Sequence, residues 1–305
     1  MSFSLAFDTS NYTTSVAVYT GEKITVNNKI PVGVEKNRRG IRQSDAVFSH
    51  TVNLPKALEG VDGKNCDCIG VSYAPRSAEG SYMPCFLCGV AAAETASCAS
   101  GAPVYKFSHQ QGHIMSALYG VGKSELYYER FIAFHVSGGT TEMLLCENGI
   151  ITKIGGTLDI NAGQLIDRIG VKMGLDFPCG AALEKISADP DGIKTRIKNT
   201  GSYFNMSGIE NLACDMLESG KNNSDVAAFV FANVRCALEN MLLSAKEKYD
   251  DLPVVFAGGV SSNKYLKDYF SEKYGAYFAL PEFSADNACG LAILAYNEHM
   301  GIHGK

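Results

Sequence analysis

The chain opens with short apolar runs separated by polar turns. Phe3 to Phe7 reads as a strand, Asp8-Thr-Ser-Asn-Tyr-Thr-Thr as a polar turn and Ser15 to Tyr19 as a second strand. Gly21-Glu22 then turns the chain into a third strand, Ile24 to Ile30. After this the period changes. Ala46 to Leu58 has helical spacing, Cys68 to Tyr73 is an apolar run of strand length, and Pro84 suits the first turn of an Ala-rich helix. Pro103 to Phe107 predicts another strand and His109 to Tyr119 a helix.

The second half begins by repeating the first. Phe131 to Val136 predicts a strand, Ser137-Gly-Gly-Thr-Thr a polar turn and Glu142 to Cys146 the next strand. Asn148-Gly149, a strong hairpin signal, leads into Ile150 to Ile154. One plan of strand, Ser/Thr loop, strand, tight turn and strand therefore fits both stretches, which suggests a duplication. Helices are predicted at Ala162 to Met173, Ala181 to Ser187 and Asp225 to Lys248. Pro253 to Phe256 reads as a buried strand, followed by Ala257-Gly-Gly-Val-Ser-Ser-Asn263 and a helix from Lys264. The last helix starts near Asp286 and runs to about Glu298. The expectation is an α/β protein of two duplicated lobes, residues 1–122 and residues 123–285.

Composition narrows the class. With 305 residues, 46% hydrophobic and 19% charged, the chain matches an ordinary soluble protein large enough to divide its core in two. Asp8 interrupts the first apolar run, so no signal peptide is expected, and the best spanning candidate, Cys85 to Ala99, is too short and contains Glu94. A cytoplasmic protein without a membrane contact is the expectation. Ten cysteines in a chain of this size do not suit a disulfide scaffold. Cys85-x-x-Cys88 lacks a second pair to complete a zinc site, and Cys66-x-Cys68 sits at a strand start, so both read as buried thiols. A net charge of −5 argues against wrapping nucleic acid unaided. Two basic clusters, Lys36-Asn-Arg-Arg-Gly-Ile-Arg42 and Lys194-Thr-Arg-Ile-Lys198, could each meet a phosphate backbone or simply form a solvated face.

Four stretches raise chemistry. His109-Gln-Gln-Gly-His113 puts two imidazoles at i and i+4 on one helix face, a spacing that suits a shared divalent metal; two unrelated histidines are the alternative. A metalloprotease is excluded because Gln110 stands where the general-base glutamate would be. His299-Met-Gly-Ile-His303 has the same spacing in a Gly-broken tail and is not expected to bind. Gly120-Val-Gly-Lys-Ser124 resembles the end of a P-loop, but Ala117 replaces the first glycine, so it reads as a turn. Val136-Ser-Gly-Gly-Thr140 and the Gly258-Gly259 loop each follow a buried strand with paired glycines, where bare backbone N–H groups can approach a ligand's oxygens. With the repeated hairpins they point to a nucleotide site.

Taken in order, Asp8-Thr-Ser, His109-x-x-x-His113, Val136-Ser-Gly-Gly, Asp159, Gly163, Asp167, Gly174-Leu-Asp-Phe-Pro178, Gly180, Ser207-Gly208, Gly258 to Asn263 and Asp286-Asn287 resemble the TsaD (glycoprotease) family, which makes threonylcarbamoyladenosine in tRNA. The resemblance covers nearly the whole chain. It implies the actin-like ATPase (ASKHA) fold, with two lobes, a central cleft and the C-terminal helix 286–300 packing back on the first lobe. It also implies one divalent metal, Fe(II) or Zn(II), held by His109, His113 and Asp286. The nucleotide, threonylcarbamoyl-AMP or ATP, would be lined by Val136, Ser137, Gly138, Gly139, Thr140, Asp167, Gly180, Gly258, Gly259 and Asn263, with Asp8, Thr9 and Ser10 as a phosphate loop. The implied reaction is threonylcarbamoyl transfer to the N6 amine of adenosine in tRNA, with TsaB-like and TsaE-like partners, and a homodimer is also compatible. The chain departs from the family at Tyr12, Thr140, Ile160, Gln164, Cys179 and Glu210. A small-molecule carbamoyltransferase of the same fold and a non-catalytic nucleotide- or partner-binding module are the competing readings.

Overall fold

The computed structural model describes residues 2–10, 12–33, 41–284 and 286–303. Its first elements are strands β1 (Ser4–Ser10), β2 (Thr13–Tyr19) and β3 (Ile24–Pro31), then helix α1 (Gln43–Ala57), β4 (Cys68–Ala74), α2 (Phe86–Ser100), β5 (Val104–Ser108) and α3 (His109–Gly120). After a short 3-10 turn come β6 (Arg130–Val136), β7 (Thr141–Glu147), β8 (Ile150–Thr157), α4 (Ala162–Lys172) and α5 (Gly180–Ile186). Next are β9 (Asn199–Thr200), β10 (Tyr203–Phe204), α6 (Ser207–Glu218) and the long α7 (Asn223–Tyr249). The chain ends with β11 (Val254–Ala257), α8 (Lys264–Tyr274), β12 (Tyr277–Phe278), α9 (Pro281–Ser284) and α10 (Cys289–Met300). These elements form two compact units: residues 1–128 with 282–305, and residues 129–281.

Unit 1 holds a five-stranded sheet in the order β3-β2-β1-β4-β5. β1 lies antiparallel to β2 and parallel to β4, and every residue of it is buried. Both faces of the sheet are covered. Gly70 turns toward α10, where an added Cβ would lie 2.4 Å from the Leu291 carbonyl oxygen. Gly89 of α2 is pressed against Thr9 and the adjacent residue Val71, so α2 takes the opposite face.

Unit 2 holds a seven-stranded sheet, β12-β11-β6-β7-β8-β10-β9. Read outward from β8, the order 8-7-6-11-12 copies 3-2-1-4-5 of unit 1, with the same pattern of parallel and antiparallel pairs. The duplication suggested by the two hairpins is thus carried through both sheets. Phe134, Phe256 and Phe278 stack across β6, β11 and β12 at centroid distances of 4.6 and 4.7 Å. α7 runs through this core. It is long and apolar enough to cross a membrane by length and composition, contrary to the expectation that no run is, but it is mostly buried within the unit.

Three expectations change. The last helix begins at Cys289 rather than Asp286, because the Asn287 side-chain oxygen accepts the Cys289 N–H at 2.9 Å and ends the preceding loop. The Ala-rich helix begins at Phe86, the residues from Met83 forming a separate turn whose carbonyls accept from Phe86 and Leu87. Helix α6 has no counterpart in the sequence reading. Its N-terminal amides are capped from a distance: Asp159 accepts from Met206 N at 2.8 Å and from Ser207 N at 3.0 Å. Burial opposes the Asp159 charge, but the Ser207 hydroxyl and these N–H groups outweigh it and hold the carboxyl below its usual 3.8. Stability from such a depressed group is present above the unfolded pKa and lost as pH falls through the folded one. Asp159→Ala is therefore expected to cost about 1 kcal/mol in urea unfolding at neutral pH. The difference from wild type should shrink as the pH is taken below 3.8.

Candidate metal cluster and nucleotide pocket

In unit 1 the Ser108 hydroxyl and the Gln111 side chain close a capping box that fixes the start of α3, so His109 and His113 lie one turn apart and meet edge to face with ring centroids 4.3 Å apart. Asp286 meets both: its Oδ1 lies 3.0 Å from His113 Nε2 and 3.6 Å from His109 Nε2. One ligand atom from each of the three residues lies within 4.8 Å of the others. His109 Nδ1 is engaged by Asp8 Oδ2 at 2.8 Å, and Asp8 also accepts from the Ser72 hydroxyl. Burial disfavours the His109 charge, yet Asp8 and Asp286 push its pKa up to about 10. The two histidines in turn hold the half-buried Asp286 well below the carboxylate range despite desolvation.

The donor set fits a divalent cation. Asp8 fixes the tautomer and aim of His109 and leaves Nε2 for a ligand, the usual carboxylate support of a metal-binding histidine. Two imidazoles and a carboxylate suit Zn(II) or Fe(II) and leave coordination positions open. The loop bearing Asp286 is clasped to α3. Ser116 donates to Asn287 Oδ1 and accepts from Gly290 N, both at 2.8 Å. A Cβ at Gly290 would sit 2.0 Å from the Gly112 carbonyl oxygen, so only glycine permits this approach.

The Asp8-Thr9-Ser10 segment, read as a phosphate loop, turns Asp8 and Ser10 to this cluster and Thr9 to α2. Thr9 Oγ1 donates to the Cys85 carbonyl and accepts from Gly89 N, while Ser10 donates to Asp286 Oδ2 at 3.3 Å.

Unit 2 contains a cavity of about 440 Å³ lined by Gly138, Asp167, Gly180, Gly259 and Asn263 of the expected set. Ile166, Phe177, Pro178, Phe231 and Val260 form apolar walls. Asp167 Oδ1 accepts from Cys179 N at 2.8 Å, and its other oxygen has no partner among the described residues. Asn263 caps α8 through Oδ1, at 3.0 Å from Leu266 N, and its buried Nδ2 has no partner among the described residues. A buried amide with unspent donors fits a ligand acceptor. Glu184, absent from the sequence reading, also lines the cavity and takes the Lys264 N–H at 2.8 Å. Its position one helical turn after Gly180 was the available signal.

Val136, Ser137, Gly139, Thr140 and Gly258 lie outside that lining. The Ser137 hydroxyl accepts from Gly139 N and Thr140 N, so the turn satisfies two of its own amides. Gly258, at φ 96°, packs against the Val136 carbonyl. Gly163 lets α4 approach the Gly138 backbone, where a Cβ would collide at 2.6 Å.

The departures find local roles. Gln164 completes the capping box of α4, Glu210 pairs with Arg168 at 3.0 Å, Ile160 packs on the unit 2 core, and buried Cys179 fills the space beside Gly170. Tyr12 is exposed, and nothing in the structure explains it. Cys66, Cys68 and Cys85 are buried and unbridged, burial pushing Cys68 up to about 12 and Cys85 up to about 11. Cys88 is half-buried and directs its thiol to the Val47 carbonyl. Gly120 to Ser124 ends α3 as a turn, Gly122 adopting φ 67°. His299 touches Tyr105 and His303 touches Glu298, with no shared ligand group between them among the described residues. Residues 34–40, most of the first basic cluster, lie outside the described residues.

One β-β-β-α-β-α-β plan built twice, with a His/His/Asp cluster in one copy and a nucleotide-sized pocket in the other, defines an α/β protein of the actin-like ATPase fold. Solved structures agree in fold. Component A of (R)-2-hydroxyglutaryl-CoA dehydratase from Acidaminococcus fermentans superposes with a TM-score of 0.59 at 15% identity, covering 98% of this chain and 100% of that one. Full-length HypF in its phosphate- and nucleotide-bound form gives 0.62 at 12% identity over 99% of this chain and 47% of that one. The family profile of tRNA N6-adenosine threonylcarbamoyltransferase, TsaD, matches residues 35–293, and the chain belongs to the TsaD family. Among its relatives, the tRNA N6-adenosine threonylcarbamoyltransferase of Streptococcus thermophilus is 29% identical over 88% of this chain and 83% of its own length. That of Streptococcus sanguinis is 30% identical, over 87% and 82%.

Proposed function

We propose that the protein is a tRNA N6-adenosine threonylcarbamoyltransferase, moving the threonylcarbamoyl group from threonylcarbamoyl-AMP to adenosine in tRNA and releasing AMP. Family membership supports the activity. The observation that carries it to this chain's own residues is the convergence of His109, His113 and Asp286, with Asp8 bracing His109. These three would hold one divalent metal, Fe(II) or Zn(II), which supplies Lewis-acid polarisation and an anchor for the threonylcarbamoyl group.

The unit 2 cavity takes the adenosine of the nucleotide. Its apolar walls accept a flat base, Asn263 Nδ2 donates to a ring or ribose acceptor, and Asp167 and Glu184 accept ribose hydroxyls. Asp167→Asn leaves a group of the same shape and removes the charge. It is expected to weaken AMP binding about tenfold by calorimetry, since a hydrogen bond to a charged group contributes about 1.5–3 kcal/mol. TsaB-like and TsaE-like proteins complete the enzyme in this reading. The protein is a soluble one, working where tRNA is.

The deciding experiment supplies the protein and those partners with threonylcarbamoyl-AMP and unmodified tRNA, then measures nucleosides by mass spectrometry. Threonylcarbamoyladenosine should appear with wild type and vanish with His113→Ala. AMP release without modified tRNA would overturn the acceptor, and no AMP release would overturn the transferase reading.

A further inference from the structure

Residues 194–198 form an irregular segment in unit 2 with alternating exposure: Lys194, Arg196 and Lys198 point to solvent, and Ile197 is buried. Alternation puts three cations on one side, with successive ones about 6–7 Å apart if extended. None of the three side chains has an ion-pair or hydrogen-bond partner among the described residues. The backbone beneath them is pinned. Asn233, fully buried in apolar α7, accepts from Arg196 N at 2.7 Å and Ile197 N at 3.0 Å and donates to the Phe229 carbonyl. Asn199 donates to the Ala237 carbonyl just beyond. A buried amide inside a long apolar helix is costly unless satisfied, and here it fixes the shape of a basic segment.

Beside it lies a second cavity, of about 490 Å³, sharing no lining residue with the adenosine pocket. Among the described residues its only charged lining is Arg196 and Lys198; Leu158, Tyr203 and Leu212 supply apolar wall. Asp159 is engaged by the amides of α6 and Glu210 by Arg168.

We infer that Lys194, Arg196 and Lys198 are a preformed phosphate-binding rail for the RNA acceptor, with the cavity taking the sugar or base beside a bound phosphate. The inference rests on the tRNA reading above and adds a surface to it. Evenly spaced unpaired cations on a fixed backbone match a regular polyanion, and an apolar wall beside them suits a nucleotide unit. The chain's net charge of −5 makes this local cationic row the more necessary for RNA to dock.

The test is tRNA binding by the triple variant Lys194→Gln, Arg196→Gln, Lys198→Gln, across about 50–300 mM KCl. All three positions are exposed, so folding should be unaffected. Affinity near 0.1 M salt is expected to fall roughly tenfold to a hundredfold, and the salt slope of log Kd by about 2–3. Binding of AMP and of zinc should stay at wild-type values. If wild type binds tRNA and the variant keeps both affinity and slope, the rail is wrong while the acceptor stands. If wild type binds no tRNA even with the TsaB-like and TsaE-like partners present, the acceptor reading fails and the rail with it. Displacement of tRNA from wild type by polyglutamate as readily as by unlabelled tRNA would assign the row to an acidic protein surface and overturn the RNA inference.

Discussion

His113→Ala is expected to leave the protein folded but unable to retain zinc or iron, with metal affinity falling by more than a hundredfold. Loss of a supporting residue behind a metal ligand already costs about 10–100-fold, and here a ligand itself is removed. His113 makes its contact with Asp286 at 3.0 Å from the middle of α3, where alanine is the best helix former. Secondary structure should therefore survive. Asp8→Asn provides the graded comparison, because it weakens the brace on His109 without deleting a ligand. Metal content after dialysis, with thermal melting as a control, decides the point. A His113→Ala protein that keeps a full equivalent of metal would remove the cluster from the proposal.

Gly290→Ala is expected to produce the largest loss of stability of any single methyl group added to the chain, about 3–5 kcal/mol. The added Cβ would lie 2.0 Å from the Gly112 oxygen and 2.8 Å from both the Gly112 carbon and Ser116 N, all backbone atoms that no rotamer change can move aside. Relief requires α3 and α10 to separate. That motion breaks the Ser116–Gly290 hydrogen bond and draws the histidines away from Asp286, so metal affinity should fall along with the urea midpoint. Gly63→Ala is the matched control: its Cβ would meet only Leu5, at an ordinary 3.6 Å. Equal midpoints for the two variants would show that the clasp yields more easily than its geometry implies.

Much of the scaffold could be read from residues alone, because its signals are local. The Gly21-Glu22 and Asn148-Gly149 turns and the continuous apolar strands gave both hairpins, whereas the matching sheet orders came only with the structure. Helix α6 escaped because its cap is Asp159, 47 and 48 positions from the amides it serves. Helical spacing at Ile209, Leu212, Ala213 and Met216 was the evidence available. Spacing likewise proposed His109 and His113, but not the third ligand. Asp286 lies 173 residues from His113, and only resemblance to a family joined them. The Ser/Gly turn at 137–140 was read as a donor of free amides, yet the Ser137 hydroxyl, two and three residues from its partners, consumes two of them. Asn233 carried no pattern, since it acts on the backbone of Arg196 and Ile197, 37 and 36 positions away.

The position of α10 has a consequence for biosynthesis. It covers a sheet whose five strands are all complete by Ser108, yet it leaves the ribosome after the whole of unit 2. Until then one face of β1 and β4 lacks its helix, and the histidines lack Asp286. Unit 2, continuous in sequence, can condense while its predecessor waits. Metal capture is then a late event in the birth of the molecule, and nascent chains arrested before residue 286 should emerge metal-free whatever the supply of the ion.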